Sequence, residues 1–308
     1  MKKRIITATV LIAVLVPLIL IDHVATKVIF AVIAMFLSGV GSFEIINVMY
    51  KESSELKIYR YIMPVLSSIL CGLCLFATYK SSLDVEAFKN GFIYHFYVLI
   101  FFLLSVVLVF GLMIFTPSSQ ARAMMGCLLS LVYPGLMLGY VLSMRYFAPV
   151  ELNNNLIHLN GVKSFAYIYI IVIMTDTFAY FVGSKLGKTK LCPNISPNKS
   201  VAGAVGGGIA GAISGLIVAY ALKIVNPSGL KEILLASALV LLISAFLSVV
   251  VQIGDLVESK LKRSFGVKDF GNIFPGHGGV LDRFDSLIYS GIWFYVIVQI
   301  IQIILIGA

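Results

Sequence analysis

The sequence predicts an all-α, polytopic integral membrane protein of about nine transmembrane helices, with its N-terminus in the cytoplasm. Three observations predict this class. Of the 308 residues, 60% are hydrophobic and only 12% charged, where soluble domains carry about 25% charged residues. The mean hydropathy is +1.01. Apolar runs near or above 18 residues recur along the whole length, each able to cross a hydrocarbon core of about 30 Å at 1.5 Å per residue.

The first run, near 5–21, follows Lys2, Lys3 and Arg4. No small-residue cleavage pattern follows it, so it reads as an uncleaved first helix rather than a signal peptide. The second, near 25–49, contains GVGS and then Glu44. Runs three and four, near 59–79 and 92–116, are separated from their neighbours by short polar turns. The fifth, near 122–145, contains Tyr133 and Pro134, and the proline predicts a kink. The sixth spans about 164–184 and carries Asp176, the seventh 201–225, the eighth 230–257 and the ninth 284–307. Residues 1–150 read as scaffold and lipid-facing helices, and residues 151–308 as helices bearing cytoplasmic catalytic loops. With the N-terminus inside, sixteen of the 23 Lys and Arg fall in cytoplasmic segments and seven outside, as the positive-inside rule requires.

The net charge of +9 is mostly this topological excess, and the remainder suits an anionic ligand. Nucleic acid is excluded as a partner, because no soluble domain or basic-aromatic surface is present to carry it. Cys71 and Cys74, inside an apolar run without a nearby His or acid, read as small core residues. The long outer loop from Arg145 to Lys163 reads as a solvated connector. No repeat and no matching pair of broken helices supports a transporter.

The chemistry gathers in one polar island, SKLKRSFGVKDFGNIFPGHGGVLDRFD, from Ser259 to Asp285, preceded by GDLVE. Charged groups beside lipid are costly and usually functional. Asp255, Glu258, Ser259 and Lys262 fall at i, i+3, i+4 and i+7, on one face if helix eight continues that far. Asp282, Asp285 and Ser286 repeat the pattern at the start of helix nine. Dipole complementation explains an acid at a helix start, but not Asp255 near a helix end. Carboxylates without Cys or paired His favour a hard cation such as Mg²⁺. Lys262, Arg263, Lys268 and Arg283 surround them, and PGHGG permits close backbone approach to a phosphate. These are the parts of a nucleoside triphosphate site. Asp176, about 13 Å into the membrane by helical rise, must face a polar cavity or a partner. Glu44 is either such a residue or an interface carboxylate. The loop from Gly183 to Ser200 adds Lys185, Lys188, Lys190 and Lys199 for anion capture.

The island resembles the full signature of the bacterial phosphatidate cytidylyltransferases, or CDP-diacylglycerol synthases. It matches at Ser259, Lys262, Arg263, Lys268, Asp269, Gly271, Pro275, His277, Gly278, Gly279, Asp282, Arg283 and Asp285. The resemblance extends through GDLVES and DTFAYFVGSKLGKTKL, covering roughly residues 165–290 with motifs. It departs at SPNKSVAG (Ser196 to Gly203), where similar proteins read SPKKTWEG and where this chain has Ala202 in place of an acid.

The resemblance implies Mg²⁺-dependent transfer of a cytidylyl group from CTP to phosphatidate on the cytoplasmic side of the plasma (inner) membrane. A second, monovalent cation and a homodimer are compatible with it. On this basis Asp255, Asp282, Lys262 and Asp285 form the expected catalytic set, with Asp255 and Asp282 as the metal ligands. Arg263, Lys268, His277, Gly278, Gly279, Arg283, Ser196, Lys199 and Asp176 form the expected substrate-binding set. His277 is expected to orient the glycine turn or donate to a phosphate, since a phosphate monoester near pH 7 needs no base. The alternatives are a polyprenol kinase-like enzyme, an ether-lipid cytidylyltransferase, or a transporter.

Overall fold

A computed structural model describes residues 13–49, 57–82, 91–116, 121–147, 149–152, 157–274 and 278–307. Among these residues, eight helices are long and apolar enough to cross a membrane, and residues 13–20 form a further helical stretch, α1. The chain is thus an all-α polytopic membrane protein. It divides into two compact units, Met1–Phe147 with Ser264–Phe284, and Ala148–Arg263 with Asp285–Ala308.

The first unit holds α1, α2 (Val24–Met49), α3 (Tyr59–Ser81), α4 (Phe92–Ile114) and a composite α5. The expected kink in α5 takes a specific form. α-Helical Ala121–Ser130 passes into a π-helical segment, Leu131–Met137, then back to α-helix over Leu138–Ser143 and a 3₁₀ turn at Met144–Tyr146. Pro134 has no N–H to offer the carbonyl four residues earlier, that of Ser130. The π-helical spacing shifts the backbone bonding by one residue, and a hydroxyl from α3 adds a donor, with Ser67 Oγ donating to Ser130 O at 2.6 Å. Ser38 Oγ of α2 donates to Pro134 O at 2.8 Å and to Ser67 O at 3.0 Å. In lipid, where water cannot pair an orphaned carbonyl, such side-chain donors make the break tolerable. At the start of the unit, buried Arg145 donates to Leu18 O and Ile21 O. The Lys27 ammonium, with Arg145 beside it, holds the Asp22 carboxyl below its usual range.

The second unit contains β1 (Val150–Leu152), β2 (Ile157–Leu159), α6 (Gly161–Leu186), β3 (Lys190–Cys192), β4 (Ser196–Ser200), α7 (Val201–Ala221) and α8 (Leu230–Ser264). Most of α9 (Leu281–Gly307) also belongs to it. The expected connector between α5 and α6 instead carries an antiparallel pair, β1 with β2, and the His158 amide donates to Ile224 O at 2.8 Å. Side-chain caps start two helices: Asn160 accepts from the Lys163 amide on α6 and Ser200 from the Gly203 amide on α7. Gly203, Gly207, Gly211 and Gly215 form a buried stripe along α7. A Cβ on Gly207 would lie 2.6 Å from Thr175 O of α6, and one on Gly203 2.6 Å from Ala179 O. The absent side chains let α6 and α7 meet backbone to backbone. Where the helices face α8, hydroxyls pair across the gap, Tyr167 with Ser244 and Thr175 with Ser248, each at 2.7 Å. Cys71, Cys74 and Cys127 are buried thiols, as the core reading requires, and Cys192 is half-buried in β3.

Candidate functional site

The candidate residues fall into two groups, each held within one unit.

In the second unit the helix of α8 does continue past the apolar run, to Ser264, so the acidic positions share a face as the spacing requires. Two i, i+4 pairs result. Ser259 Oγ lies 3.4 Å from Asp255 Oδ1, and Lys262 Nζ lies 2.9 Å from Glu258 Oε1. The Glu258 side chain is 0% exposed, so its ion pair with Lys262 offsets the cost of a buried charge. Lys262, expected among the catalytic residues, is thereby a partner of Glu258.

Asp255 Oδ2 pairs with Lys199 of β4. This brings one end of the β3–β4 hairpin to α8. Asp176 of α6 interacts electrostatically with Asp255, Asp285 and Lys199, and the Ser286 hydroxyl of α9 bonds to it. Carboxylates from three helices and one ammonium thus stand within electrostatic range of one another at Asp176, but among the described residues no three His, Cys, Asp or Glu lie close enough together to hold a metal ion. Asp176 is exposed and Asp255, Asp285 and Lys199 are half-buried. That arrangement answers the question posed by Asp176, whose neighbours are other charged groups.

The hairpin keeps Lys185, Lys188 and Lys190 exposed. Ser196 opens β4 opposite Cys192. Arg263 is exposed at the end of α8.

In the first unit, the island from Ser264 to Phe284 forms a loop gripped by two carboxylates. Asp282 is 7% exposed, and its Oδ2 accepts the amides of Phe270 at 2.9 Å and Gly279 at 2.8 Å. Glu44 of α2 accepts the Val280 amide at 2.9 Å on Oε1 and the Leu281 amide at 3.2 Å on Oε2. Those amides open α9 and have no partner within it, so Glu44 caps the helix from a distant segment. The turn closes with Phe274 N donating to Gly278 O at 3.0 Å. Gly278 has φ +87°, and a Cβ there would meet Asp282 Oδ2 at 2.9 Å; both facts require glycine. Lys268, Asp269 and Arg283 are exposed. His277 lies outside the described residues, with Pro275 and Gly276.

Asp255 and Asp282, expected to share a metal, thus belong to different units. Two residues outside the expected site set participate. Glu258 was signalled by its i+4 relation to Lys262, and Glu44 by being a carboxylate in an apolar span.

The chain matches the cytidylyltransferase family model over residues 2–301. It is 43% identical over 129 residues to a phosphatidate cytidylyltransferase of Bacillus subtilis (strain 168), a match covering 42% of this chain and 45% of the relative. It is 34% identical over 163 residues to one from Staphylococcus haemolyticus (strain JCSC1435), covering 53% and 54%. A Staphylococcus aureus (strain COL) protein of the same name is 41% identical over 129 residues, covering 42% and 46%. The matches span about half the length of these relatives.

Proposed function

The chain belongs to the cytidylyltransferase family, and from that premise we propose that it transfers the cytidylyl group of CTP to phosphatidate, yielding CDP-diacylglycerol and pyrophosphate. The relatives' names supply the lipid substrate. The observation that carries the reading is that Asp176 has the carboxylates of Asp255 and Asp285 and the Lys199 ammonium within electrostatic range, with Lys199 itself paired to Asp255. Like charges so placed repel, and a divalent cation with phosphate oxygens relieves that repulsion.

The donor set is hard oxygen, which fits Mg²⁺. Asp255 is the first candidate to hold it, with Asp176 and Asp285 within electrostatic range of one another. The resemblance also assigns Asp282 to the metal, and its Oδ2 accepts the Phe270 and Gly279 amides. Bound Mg²⁺ would supply charge neutralisation for the phosphates. The protein's own groups then do the following. Lys199, Arg263, Lys268 and Arg283 bind phosphate oxygens of CTP and of the lipid headgroup. The backbone at Gly278 can approach a phosphate closely, since no side chain stands there. A phosphatidate oxygen attacks the α-phosphorus of CTP in line; the new P–O bond forms as the bond to the β-phosphate oxygen breaks, and pyrophosphate leaves with that electron pair. Because the attacking phosphate is already ionised, positioning and charge neutralisation carry the reaction rather than a general base.

The sixteen basic residues of the expected cytoplasmic segments support a cytoplasmic face for this chemistry. Purified protein incubated with labelled CTP, Mg²⁺ and a panel of lipid phosphates tests the proposal. Pyrophosphate release with phosphatidate supports it. Release only with a polyprenyl or ether-lipid phosphate moves the lipid assignment, and no lipid-dependent CTP turnover ends it.

A further inference from the structure

Glu44 is a carboxylate in an otherwise apolar helix and is only 4% exposed. Among the described residues no cation lies within ion-pair distance of it. A buried, unpaired carboxylate is strongly unfavourable, so its place must be offset by what it contacts. It contacts the amides of Val280 and Leu281, 236 and 237 residues away in sequence. A Cβ on either Gly271 or Gly279 would overlap this carboxylate. The loop has therefore left two side chains out to make room for it. Behind it, a Cβ on Gly41, one turn earlier in α2, would meet Leu281 Cδ2 at 3.0 Å. The fit between α2 and the start of α9 is close on both sides of Glu44.

Asp282 grips the same loop from within, through Phe270 and Gly279. Four amides, at residues 270, 279, 280 and 281, thus end on two carboxylates from separate elements. Next to these amides in sequence stand Lys268, Asp282 and Arg283. We infer that Glu44 is a positioning residue, fixing the backbone at Gly279–Leu281 so that the start of α9 holds Asp282 and Arg283 in place for substrate phosphates. Its contribution to turnover rests on the proposed function. Its grip on the loop does not.

The test uses the full chain in detergent, as wild type, Glu44→Gln and Glu44→Ala. Hydrogen–deuterium exchange followed by mass spectrometry reads the loop, and CTP turnover with phosphatidate reads kcat and KM separately. Exchange of peptides covering 270–282 is expected to quicken about tenfold or more in Glu44→Ala, with peptides from α3 and α5 unchanged. The loss of alignment is expected to lower kcat by about 10- to 100-fold. Glu44→Gln keeps one acceptor oxygen and should recover part of both. Unchanged loop exchange in Glu44→Ala overturns the inference, as does equal acceleration across α2, α3 and the loop, which marks a general packing role. If Glu44→Ala does not fold, the isosteric Glu44→Gln decides by the same readouts: selective loop acceleration supports the inference and its absence overturns it. A wild-type protein without CTP turnover, but with a loop that responds to Glu44, sinks the functional proposal alone.

Discussion

Lys199, in the last strand before α7, pairs with Asp255 in the C-terminal part of α8. The segment that departs most from the resembled pattern, Ser196 to Gly203, is thereby tied to the motif that matches it best. Lys199 is the counter-cation of Asp255, and its charge also reaches Asp176. A divalent ion held by Asp255 would compete with the ammonium. Lys199→Ala should therefore lower kcat by about tenfold or more through lost phosphate contacts, yet reduce the Mg²⁺ concentration needed for half-maximal turnover. A Mg²⁺ titration of CTP turnover reads both. A higher Mg²⁺ requirement in the variant would show that Lys199 supports the metal rather than opposing it.

Asp255 and Asp282 separate by what else each carboxylate does. The Asp255 side chain is 32% exposed with one ion pair, so Asp255→Asn is expected to abolish turnover and leave the melting temperature nearly unchanged. Asp282→Asn changes more than charge. It weakens an acceptor for two buried amides, a loss of about 1–3 kcal/mol. Thermal unfolding in detergent should register a lower midpoint for Asp282→Asn only. Equal stability of the two variants would remove the bracing role from Asp282, and normal turnover in either would remove that residue from the reaction.

The helices were legible in the sequence because apolar length alone selects them, and their ends moved by only a few residues. Helix eight shows why ends move. Its apolar run stops near residue 257, but helix continues to Ser264 because Asp255 with Ser259, and Glu258 with Lys262, support further turns at i, i+4. Helix nine likewise begins at Leu281 rather than near 284, since its polar first turn carries no hydropathy signal. The two hairpins were not legible: β1, β2 and β3 are three residues each, too short for alternation to stand out. Of the candidate site, spacing gave the Asp255 face and the Asp282 start. It could not give Lys199 with Asp255, or Glu44 with Val280, because no local periodicity links residues 56 or 236 positions apart.

Adjacent glycines on α7 offer a controlled comparison of packing against helix propensity. Gly207 faces α6, where an added methyl would sit 2.6 Å from the Thr175 carbonyl oxygen and 2.9 Å from Ala179 Cβ. Gly208 meets only Gln252 Nε2, at 3.9 Å. Gly207→Ala should force the backbones apart and cost about 1–3 kcal/mol. Gly208→Ala should be neutral or stabilising by up to about 1 kcal/mol, the propensity gain of alanine over glycine in a helix. Melting curves of the two variants in one detergent give the comparison. Equal destabilisation would refute the close approach of α6 and α7 along the Gly203–Gly215 stripe.

The proline in α5 gives a test that is independent of catalysis. Ser67 Oγ is buried, and its bond to Ser130 O adds a donor where Pro134 cannot supply one. Ser67→Ala removes one donor from that carbonyl in an apolar interior, at a cost of about 0.5–1.5 kcal/mol. If the π-helical segment exists because of Pro134, then Pro134→Ala restores an N–H able to reach Ser130 O and makes the hydroxyl dispensable. The double variant Ser67→Ala with Pro134→Ala should therefore be less destabilised than the sum of the two single variants. A double-mutant cycle on melting free energies measures the coupling. Strict additivity would mean that the serine and the proline stabilise α5 separately, and that some other contact satisfies Ser130 O.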